Sequence, residues 1–463
     1  MKKSVLSVIL VLCMLLSVPA FASAESITLD NIRDYVVGLD TEVELGDGTM
    51  QPAINFDNGA TTPALTPVLE AVEESLTMYG SIGRGKGQKS TYSTAVYEAT
   101  RDKVLSFVNA DPDAYTVFYV NNTTDGLNKL ASALIGSEDD VVLTSRMEHH
   151  ANDLSWRERC TTIYAEVDEY GRLDLADMER LLREYDGAVD YVSVTAASNV
   201  TGYVNDVHAI AKLAHSYGAQ IIVDGAQIVA HRAFSMLGDT PEENIDFFVF
   251  SAHKMYSPFG GGAVVGLTDV LNEHLPEFYG GGIVDVVSDY DVTFLSAPER
   301  YEAGSPNYPG VVGLGAAIDI LEEVGFDAIA AHEQALLRRI IDGLLAIDGV
   351  TVYGDTENIA DKVGVVTFNI DGIGHGDVAN ALAENAGVAV RQGAFCSHPY
   401  VFRLLGIPDE EITEEMYEDD FSMPGMVRVS FGIYNTEEEV DAFLEAVRLI
   451  AAEAAEASVE PAA

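Results

Sequence analysis

The sequence predicts an α/β protein with two parts. A large domain over residues 54–325 has a mostly parallel sheet with helices on both faces, and a smaller α+β domain follows over 326–463. Three observations carry this. Short apolar runs alternate with helical patterns through the first two-thirds of the chain, as crossover-connected parallel strands require. From about residue 325 the texture changes to a long helical pattern and then to strands and helices in mixed order. The 463 residues are 48% hydrophobic and 22% charged, which is enough to build more than one core and excludes a fibrous or disordered chain.

Residues 1–24 read as a signal peptide. Lys2 and Lys3 precede an apolar run from Val5 to Val18 that is too short to span a bilayer comfortably, and Ala22-Ser23-Ala24 supplies a small-x-small cleavage site. Cleavage after Ala24 predicts an exported protein with no stable membrane insertion; an uncleaved anchor is the alternative. Residues 25–53 read as an irregular N-terminal arm. Leu65, Val68, Leu69, Val72 and Leu76 recur at helical spacing, and a second helix runs through Val96, Val104, Phe107 and Val108.

Strands are predicted at Tyr115–Val120, Val141–Thr144, Asp190–Thr195, Gln220–Val223, Phe247–Phe250 and Ala263–Leu267. Helices fall between them at Leu127–Ile135, Leu175–Tyr185 and Val207–Tyr217. In such a sheet, functional groups gather at the carboxyl ends of the strands. The smaller domain starts with a helix at Asp327–Ile347 and strands around Val363–Ile370. A helix at Asp377–Asn385, strands at Val388–Val390 and Val427–Phe431, and a final helix at Thr436–Ala452 complete it. The Ala- and Glu-rich tail 451–463 reads as frayed, and the acidic stretch 408–425 as a solvated surface loop.

Charge excludes some functions. Lys and Arg number 26 against 74 Asp and Glu, a formal net charge of −48. Such a surface repels phosphate backbones and anionic lipid, so no nucleic-acid partner is expected. Cleavage would leave two cysteines, Cys160 and Cys396, whose spacing does not demand pairing.

Four motifs carry chemistry. Ser251-Ala252-His253-Lys254 follows an apolar strand, and a lysine there is reasonable if it is held as a Schiff base to an aldehyde cofactor. Asp224 ends another buried strand, with Gln227 three residues on; pyridoxal 5'-phosphate needs such an anion beside its ring nitrogen, although an Asp there also serves as a helix N-cap. Thr123 and Thr124 open a helix after a strand, where hydroxyls and backbone N–H groups suit a phosphate. Glu148-His149-His150-Ala151-Asn152 follows a strand and offers an imidazole to stack on a planar ring. No carboxylate–histidine helix spacing accompanies it, so no metal is expected.

In this order the motifs resemble the class V aminotransferase family of fold-type I pyridoxal-phosphate enzymes, most closely the branch of cysteine desulfurases and selenocysteine lyases. The likeness runs from about Ile54 to Leu449 and begins with Phe56-Asp57-Asn58-Gly59-Ala60-Thr61-Thr62. It implies a large domain with a seven-stranded sheet and makes Lys254 the Schiff-base lysine. His149 is the ring-stacking residue, Asp224 and Gln227 the partners of ring nitrogen and ring oxygen, and Ser251, His253, Thr123 and Thr124 the phosphate ligands. Asn199 in Ser198-Asn199-Val200-Thr201-Gly202 contacts cofactor and substrate. Ser305, in Glu302-Ala303-Gly304-Ser305-Pro306-Asn307, reaches a partner subunit's phosphate, which implies a homodimer with shared sites.

Arg428 matches the arginine that binds a substrate α-carboxylate. Arg391-Gln392-Gly393-Ala394-Phe395-Cys396-Ser397-His398-Pro399 is similar to the loop whose cysteine attacks substrate sulfur, with Arg391 and His398 supplying positive charge that favours the thiolate. Phe395 stands where many desulfurases carry His, and Asn122 where the family usually has Arg. The resemblance therefore implies a small amino-acid substrate, alanine as product, a persulfide on Cys396 and a sulfur-acceptor protein. The alternatives are a class V aminotransferase or epimerase in which Cys396 is incidental, or a non-catalytic binding protein, against which the presence of both Lys254 and Asp224 argues.

Overall fold

The computed structural model describes residues 26–417 and 423–459. The predicted signal peptide, part of the acidic stretch and the last four residues lie outside the described residues. Among those described, no helix is long and apolar enough to cross a membrane.

Seven strands form the central sheet: β1 (Tyr115–Val120), β2 (Val141–Ser145), β3 (Thr161–Ala165), β4 (Tyr191–Thr195), β5 (Gln220–Asp224), β6 (Phe247–Ser251) and β7 (Gly262–Leu267). Their spatial order is β1-β7-β6-β5-β4-β2-β3. Every pairing is parallel except those of β7, which runs antiparallel to both β1 and β6. The strands read as continuous apolar runs because both faces are covered. Ile221, Val223, Phe248 and Phe250 enter the core on one face, while Ile222, Phe247 and Val249 enter the core on the other. Each such side chain contributes about 1.5–3 kcal/mol on burial, so the alternation fixes register as well as fold.

The second unit is a four-stranded antiparallel sheet: β8 (Val350–Val352), β9 (Val365–Ile370), β10 (Arg391–Gly393) and β11 (Met426–Ser430), in the order β8-β9-β11-β10. Helices Phe326–Leu345, His375–Ala386 and Glu437–Val459 build its core with the sheet. The chain enters this unit early, since Ile54–Asn55 pairs in parallel with Val388–Ala389.

Four details differ from the sequence expectations. The arm 25–53 is not irregular throughout: Glu42–Glu44 pairs with Met50–Pro52 in a hairpin, and Ile32 and Val36 are buried in the large core. Edge strand β3 was not expected; Thr161, Thr162 and Tyr164 keep it partly exposed and give it no apolar run. The tail is not frayed from residue 451, because its Ala and Glu residues are strong helix formers and the last helix runs to Val459. The acidic stretch forms short helical turns at Asp409–Glu411 and Glu414–Tyr417.

Candidate active site

The carboxyl ends of β1, β2, β4, β5 and β6 converge on one cavity of about 280 Å³. Thr123, Thr124, His149, Asn199, Asp224, Gln227, Ser251, His253, Lys254, Arg391, Cys396 and Arg428 all line it. Twelve residues named from the sequence thus meet, although they span about three hundred positions of the chain. Ser305 does not join them: it is exposed in a separate cavity beside Glu302 and Asn307. Its loop is anchored there because Glu302 accepts from Arg101 at 2.7 Å, from the Tyr97 hydroxyl at 2.9 Å and from the Tyr119 N–H at 2.7 Å.

One end of the cavity is built for an anion. Helix Thr123–Leu134 begins at the cavity wall, capped by Asn122, which accepts from the Asp125 N–H at 2.9 Å. Its positive N-terminus and hydroxyls face the space. Ser251 Oγ accepts from the Thr123 N–H at 2.7 Å and lies 2.7 Å from Thr123 Oγ1, which binds the end of β6 to the helix start. Burial pushes His253 down to about 4, so its ring is neutral at pH 7.

The middle of the cavity holds an opposed pair. Asp224 is buried, and desolvation raises its pKa despite the Ala226 N–H donating to Oδ1 at 2.9 Å and the Lys254 charge. Burial pushes Lys254 down to about 8; Asp224 opposes this, and Arg428 reinforces it. His149 falls to about 3, chiefly through burial and then through Lys254, and its Nδ1 accepts from the Ala151 N–H at 3.1 Å. It is a neutral, flat face, suited to stacking rather than to carrying a proton. Gln227 spends one amide hydrogen on the Gly59 carbonyl, at 2.8 Å.

These residues fit pyridoxal 5'-phosphate. A helix start with hydroxyls suits the phosphate, and a depressed-pKa lysine suits the aldehyde. A buried carboxylate short of positive partners gains from a protonated ring nitrogen.

The other end is built from the second sheet. Arg428 on β11 is 3% exposed, donates to the Asn199 carbonyl at 3.0 Å and pairs with Asp57 at 3.1 Å. Its Nε has no hydrogen-bond partner among the described residues. Arg391 lies directly opposite it on β10 and reaches Asp57 at 3.6 Å. Cys396 is exposed at the cavity mouth on a tight turn in which Phe395 and Cys396 both have left-handed φ, 53° and 55°. Non-glycine residues adopt this at a cost of about 1–2 kcal/mol each, so the turn must be held. Asn199 holds it, with Nδ2 donating to the Phe395 carbonyl at 2.8 Å and Oδ1 accepting from Ser397 Oγ at 3.0 Å. The His150 N–H donates to the Cys396 carbonyl at 2.7 Å. Cys160 and Cys396 are both free thiols, so no disulfide ties up the mouth.

One site expectation is weakened. Burial lowers the His398 pKa below the ordinary value and so works against the positive charge expected of it. Phe395, which stands where many desulfurases carry His, lies buried with the Arg428 guanidinium 5.1 Å from its ring centre. Two residues escaped the sequence reading. Asp57 sits in the opening motif, and its role was invisible until the fold put it beside two arginines. Glu148, next to His149 in the chain, is buried and accepts from Ser145 Oγ at 2.5 Å and Asn152 Nδ2 at 2.7 Å; burial pushes it up to about 8. A carboxylate beside a stacking histidine was the available signal.

With this geometry in view, the comparisons are specific. The family profile described as aminotransferase class-V matches residues 54–443. The chain belongs to the class V aminotransferase family. A probable cysteine desulfurase of Halalkalibacterium halodurans is 34% identical over 401 residues, 84% of this chain and 91% of the relative. A cysteine desulfurase of Haloferax volcanii is 34% identical over 411 residues, 87% and 90% of the two chains. The apo structure of cysteine desulfurase from Thermococcus onnurineus superposes with a TM-score of 0.80 at 29% identity, covering 93% of this chain and 99% of that one. The class V fold here is therefore the fold-type I α/β architecture of pyridoxal-phosphate enzymes, and the chain sits in the cysteine desulfurase branch.

Proposed function

We propose that this class V enzyme removes sulfur from L-cysteine, leaving alanine and a persulfide on Cys396. The observation that supports it most is an exposed thiol on a braced left-handed turn, lining the same cavity as Lys254, Asp224 and Arg428. Asp224, Lys254 and the Thr123 helix start would hold pyridoxal 5'-phosphate, which would supply an electron sink that loosens the α-hydrogen and the C–S bond. Arg428 and Arg391 hold the substrate carboxylate. Lys254, with its pKa near 8, moves the proton at the α-carbon. The Cys396 thiolate forms the S–S bond as the C–S bond breaks, and the electron pair of that bond ends as a C–H bond of alanine.

Two further parts of the reading concern the whole enzyme. Ser305 on its anchored loop serves a partner's phosphate in a homodimer, for which light scattering is expected to give twice the chain mass. The segment before Glu25 directs export, which N-terminal sequencing of the mature protein checks. The persulfide sulfur would pass on to an acceptor protein.

The decisive measurement is incubation of the cofactor-loaded protein with L-cysteine, following alanine and Cys396 persulfide. Equimolar amounts in the first turnover, with Cys396→Ala forming no persulfide, are expected. Full sulfide release by Cys396→Ala in the presence of reductant, or keto-acid exchange without sulfur loss, would point instead to aminotransferase or epimerase chemistry.

A further inference from the structure

Arg391 and Arg428 are directly opposed across the antiparallel pair β10–β11. Like charges in such register repel and destabilise a sheet. Asp57 resolves the conflict. Its two carboxylate oxygens take one arginine each, Oδ1 with Arg428 at 3.1 Å and Oδ2 with Arg391 at 3.6 Å. A backbone bridge to Ser430 at the end of β11 holds Asp57 there, and its own N–H donates to Asn55 Oδ1 at 3.0 Å. Both arginines line the cavity, whereas Asp57 is not among its lining residues, so the carboxylate backs the pair from outside.

The pair and its backing carboxylate together carry one net positive charge. The remaining donor capacity matches that sum. Arg428 commits one Nη1 hydrogen to the Asn199 carbonyl and one Nη2 hydrogen to Asp57, and its buried Nε is unsatisfied among the described residues. Arg391 is half-exposed, with its pairing to Asp57 longer than a hydrogen bond. One bound carboxylate satisfies these groups and neutralises the site. A second anionic group on the same ligand would find no further charge on the arginine pair and would meet the Asp57 charge behind it. Of the other groups lining the cavity, Lys254 and Asp224 oppose one another, and the Cys396 thiolate adds negative charge.

We infer that Asp57 is a specificity-determining residue: by holding the arginine pair at a single net charge, it makes the site accept amino acids with one carboxylate and discriminate against those with a second anionic group on the side chain. This rests on the amino-acid reading above. Asp57 does not touch the reacting atoms; it acts through Arg391 and Arg428.

The test uses the cofactor-loaded protein and calorimetric titration with propionate and succinate, scored as the ratio of their dissociation constants. Asp57→Asn keeps shape but leaves two net charges, and is expected to move the ratio about tenfold toward succinate, the scale of one partly screened charge at this range. Arg391→Gln, on the exposed side, leaves no net charge and is expected to move the ratio toward propionate. The double variant, Asp57→Asn with Arg391→Gln, returns to one net charge and to the wild-type preference. A structural role alone would weaken both ligands together and leave the ratio unchanged; that result in either single variant overturns the inference, as does a double variant that keeps the Asp57→Asn preference. Should Asp57→Asn fail to fold, Arg391→Gln carries the test by itself. If wild type binds neither ligand and Arg428→Ala alters nothing, the amino-acid reading falls and this inference with it; if wild type binds propionate and the ratios do not move, this inference alone falls.

Discussion

Lys254 sits where an ammonium is costly, and its pH behaviour is the most direct sign of that. Burial sets its folded pKa near 8, against 10.5 for an exposed lysine. Between those values the unfolded chain holds the extra proton, so this residue makes stability rise with pH, and the penalty is in force below 8. In cofactor-free protein, Lys254→Met should be the more stable at neutral pH, with its advantage in chemical denaturation shrinking as pH climbs toward about 10. Glu148 has the opposite sign. Its pKa rises from 4.5 to about 8, so the folded state keeps a proton the unfolded chain has lost, and the contribution fades as pH rises through that window. Glu148→Gln should gain on wild type between about pH 5 and pH 8, and a parallel pair of denaturation curves would refute the buried-carboxyl account. Lys254 lines the cavity from the turn after β6, and Glu148 lies next in the chain to the lining residue His149 after β2.

At the scale of elements, the site depends on how closely a helix lies on the sheet. Gly126, in the first turn of helix Thr123–Leu134, has no room for a side chain: a Cβ there would lie 2.5 Å from Val249 Cγ1 on β6 and 3.0 Å from Val264 Cγ2 on β7. Gly126→Ala should cost about 1–3 kcal/mol as overpacking. Because the same turn carries Thr123 and Thr124, the variant should also weaken cofactor affinity, measured by equilibrium dialysis against pyridoxal 5'-phosphate. An unchanged affinity with lowered stability would separate the helix position from phosphate binding. The Cys396 turn depends on elements in another way. Asn199 follows β4 in the large unit yet bonds residues on both sides of Cys396 in the smaller one, the Phe395 carbonyl and the Ser397 hydroxyl. Tyr400, in the helix after Cys396, donates to the Gly171 carbonyl across the same seam at 2.6 Å.

For the whole molecule, charge is the dominant fact. Seventy-four acidic residues against twenty-six basic ones make self-repulsion outweigh the gain from individual surface ion pairs, each worth about 0–1 kcal/mol. Raising salt from low ionic strength to about 1 M, where the Debye length is about 3 Å, should therefore raise the melting temperature. A flat or falling melting temperature would mean that ion pairs such as Arg172 with Asp355 and Asp361 set the balance. The cavity inverts the surface: its lining charges are Lys254, Arg391 and Arg428 against Asp224. An anionic substrate thus crosses a repulsive exterior to reach a locally positive site, which makes association salt-dependent as well.

What could be read from the chain alone was whatever local chemistry repeats. Two-sided apolar runs announced β1, β2 and β4–β7, because strands buried on both faces need them. Turn and hydroxyl chemistry announced Thr123, Asp224 and Lys254, because strand ends and helix starts are local. Edge strand β3 escaped because its half-exposed residues carry no such run. Whatever depends on who stands opposite whom was decided only by the tertiary structure. Burial works against the charge expected of His398, and folding packs Phe395 under Arg428 and sets Asp57 between arginines more than three hundred residues away. The physical reason is range. Propensity and periodicity act within a few residues, whereas desolvation and Coulomb interactions depend on distances through space that only folding sets.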